Sequence, residues 1–144
     1  MENKDTICLL KECDAGTKMA VSSLDEVMDR VQDSNLQKLL TESKEHHGKL
    51  GNEIHALLLE YNSEEKEPNA MAKGMSWLKT NMKMEMDASD ATIADLITDG
   101  CDMGIKSLSK YLNQYPTANK KVSDICHRLI NIEETLCKDL RVYL

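Results

Sequence analysis

Aromatic residues are nearly missing from this chain of 144 residues: phenylalanine is absent, Trp77 is the single tryptophan, and aromatics make up 3% of the total. Any core must therefore be filled by aliphatic side chains, helped by nine methionines and five cysteines. Glycine (six) and proline (two) are also scarce. With few β-branched runs as well, that scarcity excludes an all-β sandwich or barrel. No apolar run exceeds four residues, far short of the ~20 that a transmembrane helix needs. The opening Met1-Glu2-Asn3-Lys4-Asp5 has no signal-peptide layout. The expectation is a cytoplasmic chain that does not engage a membrane.

Excess positive charge is missing too. The net charge is −7, and the only adjacent basic pair is Lys120-Lys121. The basic stripe of a nucleic-acid binder is therefore not present. Cys8, Cys13, Cys101, Cys126 and Cys137 form an odd set with no Cys-x-x-Cys pair, which reads as free, mostly buried thiols in a reducing compartment.

What remains is helical periodicity. Ile7, Leu10, Asp14, Thr17, Val21, Leu24, Met28 and Val31 follow steps of three and four, which predicts a helix over about 5–31. Leu36, Leu40, Ser43, His47, Leu50, Ile54, Leu57 and Tyr61 do the same over about 35–61, with Ser34 and Gln37 as a capping box. So short a link makes the two an antiparallel hairpin. A third helix is expected over 88–113, started near Asp87 and Asp90, with Ile93, Leu96/Ile97, Gly100, Met103/Gly104, Leu108 and Tyr111 inward. Pro116 ends it. The fourth, over 117–143, carries Val122, Ile125, Leu129, Ile132, Leu136, Leu140 and Tyr143.

The connection 62–87, with a short helix at about 70–86, is too long for a hairpin. It lets the chain cross the whole bundle and start the third helix at the end where the second began. That makes one all-α domain over 1–144, a ferritin-like up-down-down-up four-helix bundle with a long crossover. One continuous helix over 70–113 is the competing arrangement; at about 66 Å it would overhang the bundle.

The His-bearing second helix, the crossover Gly74-Met75-Ser76-Trp77-Leu78-Lys79, and Asp99-Gly100 followed by Tyr111-Leu112 resemble an uncharacterised bacterial branch of the ferritin-like superfamily. The resemblance spans most of the chain and implies a four-helix bundle with a metal site between helices. Members commonly carry a glutamate just after the glycine of the third helix. Here Cys101 and Asp102 follow that glycine, so the family's ligand set does not carry over directly.

A di-iron carboxylate centre needs Glu-x-x-His steps on two helices. Ser43, Lys44 and Asn52 precede His46, His47 and His55 at that distance, and Asp124-x-x-His127 is a lone, shorter relative. The expected inward lines of the third and fourth helices carry no carboxylate. Two polar residues nevertheless interrupt the seams. Asp14 comes level with Glu53, Lys106 and the Cys126/His127 pair, and calls for His127, Lys106 or a metal; His47 comes level with Ala20, Gly100/Cys101 and Ile132/Glu133, and calls for Glu133 or for a backbone carbonyl. Asp14, His47, Glu53, His127 and Glu133 are accordingly the candidate ligands for iron or zinc. The alternative is that the same residues form satisfied polar layers that fix helix register, and the sequence favours this.

Glu42 and His46 share a face and could hold a surface Zn²⁺, but an exposed polar face explains them more simply. Five methionines fall within 71–86. Met82, Met84 and Met86 diverge around a helix, so an apolar strip is favoured over a copper site. No phosphate loop or nucleophile–base order is readable. The functional expectation is a non-catalytic binding or structural protein acting through self-association or a protein partner. The alternative is a divergent iron- or zinc-handling protein.

Overall fold

The computed structural model describes residues 2–64 and 89–144. The described chain is all-α: α1 (Lys4–Met28), α2 (Ser34–Glu60), α3 (Asp90–Gln114) and α4 (Lys120–Leu140), followed by a 3₁₀ turn, Arg141–Tyr143. Among the described residues, no helix is long and apolar enough to cross a membrane. The expected crossover helix at 70–86 lies outside the described residues.

Each helix starts on a side-chain cap that satisfies otherwise orphaned backbone N–H groups. Asn3 accepts from the Thr6 amide, Ser89 from Thr92 and Asn119 from Val122. The expected cap of α2, Ser34, is instead its first helical residue. Asp33 takes the position and accepts from the amides of Asn35 (2.8 Å) and Leu36 (3.0 Å). A carboxylate at that place also suits the positive end of the helix dipole. Ser89 is extended, so α3 starts at Asp90, and a helix continuous from 70 to 113 is not formed.

Contacts at the helix ends tie distant parts of the chain together. The Asp90 carboxylate accepts from the amides of Gln32 and Asp33, both at 2.9 Å, which places the α1–α2 turn against the start of α3. At the other end Asp5 accepts from the Thr117 amide and hydroxyl, and Thr6 accepts from the Asn119 amide. The start of α1 therefore sits on the α3–α4 turn. Tyr61, which closes α2, reaches Asn119 there as well.

The buried face of α2 is the expected one, with Leu58 in place of Tyr61. On α1 the face is broader and rotated: Thr6, Leu9, Cys13 and Val27 are buried, whereas Ile7, Val21 and Met28 are only half-buried. The reason is that α1 packs against all three other helices, so a single stripe cannot contain its contacts. On α3 the inward line runs through Thr98 and Cys101. Gly100 and Met103 face outward, and no atom approaches the place where a Gly100 Cβ would stand. On α4, Glu133 is buried one position from the expected Ile132, so a carboxylate does enter the core.

The apolar interior falls into two halves. One gathers Leu9, Leu10, Cys13, Leu50, Ile54, Leu108, Cys126 and Leu129 with their neighbours. The other gathers Leu24, Val27, Leu36, Leu40, Ile93, Ile97, Leu136 and Leu140 with theirs. In α1, α2 and α4 the buried polar residues lying between the two halves in sequence are Asp14 and Thr17, Ser43 and His47, and Glu133.

Candidate functional site

At this polar waist, ionisable groups from different helices meet in the interior. The Nε2 of His47 on α2 lies 2.6 Å from Oε1 of Glu133 on α4, and its Nδ1 lies 2.8 Å from the Ser43 carbonyl oxygen one turn back. The histidine is 0% exposed and the glutamate 7%. A carbonyl can only accept, so Nδ1 carries a proton. One further proton lies between Nε2 and Oε1, which makes the unit a neutral pair whichever atom holds it. A paired, hydrogen-bonded state of this kind is what makes a buried ionisable couple tolerable.

The buried Cys101 thiol on α3 feels the same carboxylate: burial, then the negative charge of Glu133, push that thiol well above its ordinary range. A bonded pair from α2 and α4 thus has a buried α3 thiol within its electrostatic reach. On the far side of Glu133 stands Gly104, whose Cβ position is 3.8 Å from Oε2. Cys137 lies farther out on α4 and contacts Asp102 at 3.6 Å.

The five candidate ligands do not assemble at one point. His47 and Glu133 bond directly. Asp14, 2% exposed, forms an ion pair at 3.1 Å with Lys18, one turn on in the same helix. Lys106 and His127, the cations expected to meet it, are exposed. Glu53 lies on the surface and forms a two-pronged bond to Arg128, at 3.1 and 2.6 Å, and this guanidinium holds its carboxyl below the ordinary range. Among the described residues, no group of three or more His, Cys, Asp or Glu side chains is arranged to hold a metal ion.

Sequence reasoning paired His47 with Glu133 by counting residues along antiparallel helices and set Cys101 at the same level without giving it a role, but it missed Lys18. Lys18 was available from its four-residue spacing to Asp14. Cys101 was available from its place on the face of Ala94, Ile97 and Thr98. No family model, curated protein or solved structure matches the chain.

The raised Cys101 thiol gives a pH prediction. Its ionised form is disfavoured in the fold, so its stabilising contribution is complete below the unfolded-chain thiol value, about 8.5, and is lost as pH rises above it. Stability from urea unfolding should fall above that pH, with Cys101 contributing up to about 1.4 kcal/mol per pH unit. In Cys101→Ala this part of the slope should vanish. An unchanged alkaline slope in the variant would refute the assignment.

Proposed function

We propose that this chain is a non-catalytic structural or binding module of ferritin-like, up-down-down-up topology that associates with copies of itself. The end contacts support the topology. The start of α1 lies with the end of α3 and the start of α4, while the α1–α2 turn lies with the start of α3. The end of α2 and the start of α3 therefore lie at opposite ends of the bundle.

The observation that carries the non-catalytic reading is the closed polar waist. Both nitrogens of His47 are engaged, one of them with Glu133, and no buried side-chain nitrogen or oxygen among the described residues lacks a partner. Polar groups so consumed, placed between two apolar halves, serve to fix register. Sliding α2 against α4 by a turn would put the imidazole and the carboxylate among leucines.

Self-association is supported by the α2–α4 seam, where two shallow grooves of about 260 and 510 Å³ open on the same face. Apolar Leu39, Ile132 and Leu136 line one, and Ala56, Leu57 and Ile125 the other. Glu53, Glu60, Lys121 and Arg128 on the rim of the second provide both signs of charge, as a self-complementary two-fold contact requires. Light scattering on purified full-length chain should give a mass that is a multiple of the 16.3 kDa protomer. Leu39→Asp should return it to the protomer mass with its helicity intact. A wild-type chain that stays a monomer at about 100 μM, where a Kd in the micromolar range would be saturated, removes the self-association reading.

A further inference from the structure

We propose that residues 2–6 act as an acid-released clasp: with Asp5 ionised they hold the α3–α4 turn, and with Asp5 protonated they let go of it while the helices stay packed. Oδ2 of the Asp5 carboxylate accepts from both the amide (3.0 Å) and the hydroxyl (2.6 Å) of Thr117. Beside it, Asn3 Nδ2 donates to the Thr117 carbonyl oxygen at 2.9 Å, and the Asn119 amide donates to Thr6 Oγ1 at 2.8 Å. The Asn119 carboxamide donates in turn to Glu2 Oε2 at 3.0 Å. The partners stand 112 to 117 positions apart in the chain, so this is a tertiary contact made by a chain segment and not a detail of one helix end.

Two features make the clasp separable from the core. Glu2, Asn3 and Lys4 are exposed and no apolar residue precedes Ile7 within this stretch, so hydrogen bonds and not apolar packing hold residues 2–5. Segments held in that way open at the low-stability end of a fold. The central acceptor is also a carboxylate, and a bond to an ionised acceptor is roughly twice as strong as a neutral one, so protonation removes the strongest link. The Thr117 hydroxyl, then the Thr117 amide, hold the Asp5 carboxyl below the ordinary carboxylate range, and Lys4 beside it acts in the same direction. Residues 111–119 carry no charge, Glu2 is the other carboxylate of the contact, and Lys120 turns to Asp124 at 3.4 Å. A carboxyl lowered in the fold contributes fully above its unfolded value, about 3.9, and its contribution is lost as pH falls below that. Release is passed on through Asn119, which also caps α4 and reaches Tyr61 at the end of α2.

Hydrogen exchange of the full chain, read as protection factors so that the intrinsic pH dependence drops out, tests this in two ways. At neutral pH, Asp5→Ala should speed exchange of the Thr117 and Asn119 amides about tenfold or more, with the amides around His47 and Glu133 still protected as in the wild type. Thr117→Ala should have a smaller effect at Asn119, since the backbone bond to Asp5 remains. In the wild type, taken from about pH 5 to about pH 2.5, the same two amides should lose protection ahead of those around His47 and Glu133. An Asp5→Ala chain in which both amides stay protected would overturn the proposal. So would a loss of protection in all four helices together, in the variant or in acid, because the contact would then belong to the global fold.

Discussion

Removing His47 alone, as His47→Leu, should cost about 3–5 kcal/mol of folding stability, because it leaves the Glu133 carboxyl buried without its hydrogen-bond partner. Glu133→Leu should cost less, about 1–3 kcal/mol. There the imidazole can stay neutral, with Nδ1–H still bonded to the Ser43 carbonyl and only Nε2 left idle. The double variant His47→Leu/Glu133→Leu should return to within about 1 kcal/mol of the wild type or exceed it, since two leucines in contact replace a desolvated pair. Urea unfolding of the four proteins gives the coupling energy directly. Additive single costs, with the double variant the least stable of all, would mean that the pair contributes more than register.

The second large effect lies in the half of the core below the waist. Leu129 is 1% exposed, and its Cδ2 lies 3.4 Å from where a Gly16 Cβ would stand, so α1 and α4 approach closely around it. Leu129→Ala removes three carbons from a site whose walls are helices and cannot collapse inward. The expected loss is about 2–5 kcal/mol, or a fall of roughly 10 °C or more in melting temperature for a chain of this size. Leu59, 63% exposed near the end of α2, is the control. Leu59→Ala should change stability by no more than about 0.5 kcal/mol. Thermal melts of the two variants side by side check both statements, and a Leu129→Ala protein that melts with the wild type would contradict the packing described.

Much of this architecture was legible from periodicity. The buried face of α2 follows directly from steps of three and four, because α2 packs on α1 and α4 and buries a single stripe. On α1 the same rule picked out Leu10, Asp14, Thr17 and Leu24 but overlooked Leu9 and Cys13, since a helix in contact with three neighbours buries more than a stripe. On α3 one of the two glycines misled. Gly100 was expected on the inward line and is exposed, while the adjacent Cys101 is buried beside Glu133 of α4. Side-chain partners were legible where two helices face each other in simple antiparallel register, as for His47 and Glu133. They were not where a long flexible side chain folds back on its own helix, as Lys18 does to Asp14, or where Arg128 reaches across the surface to Glu53.

The account turns on the polar waist being a satisfied structural layer and not a ligand set. The most direct measurement is elemental analysis of tag-free protein after anaerobic Fe(II) loading and, separately, after dialysis against Zn²⁺, run beside His47→Leu/Glu133→Leu. The account predicts no stoichiometric metal in either protein under either condition. One or two equivalents in the wild type, absent from the double variant, would contradict it and make His47 and Glu133 ligands.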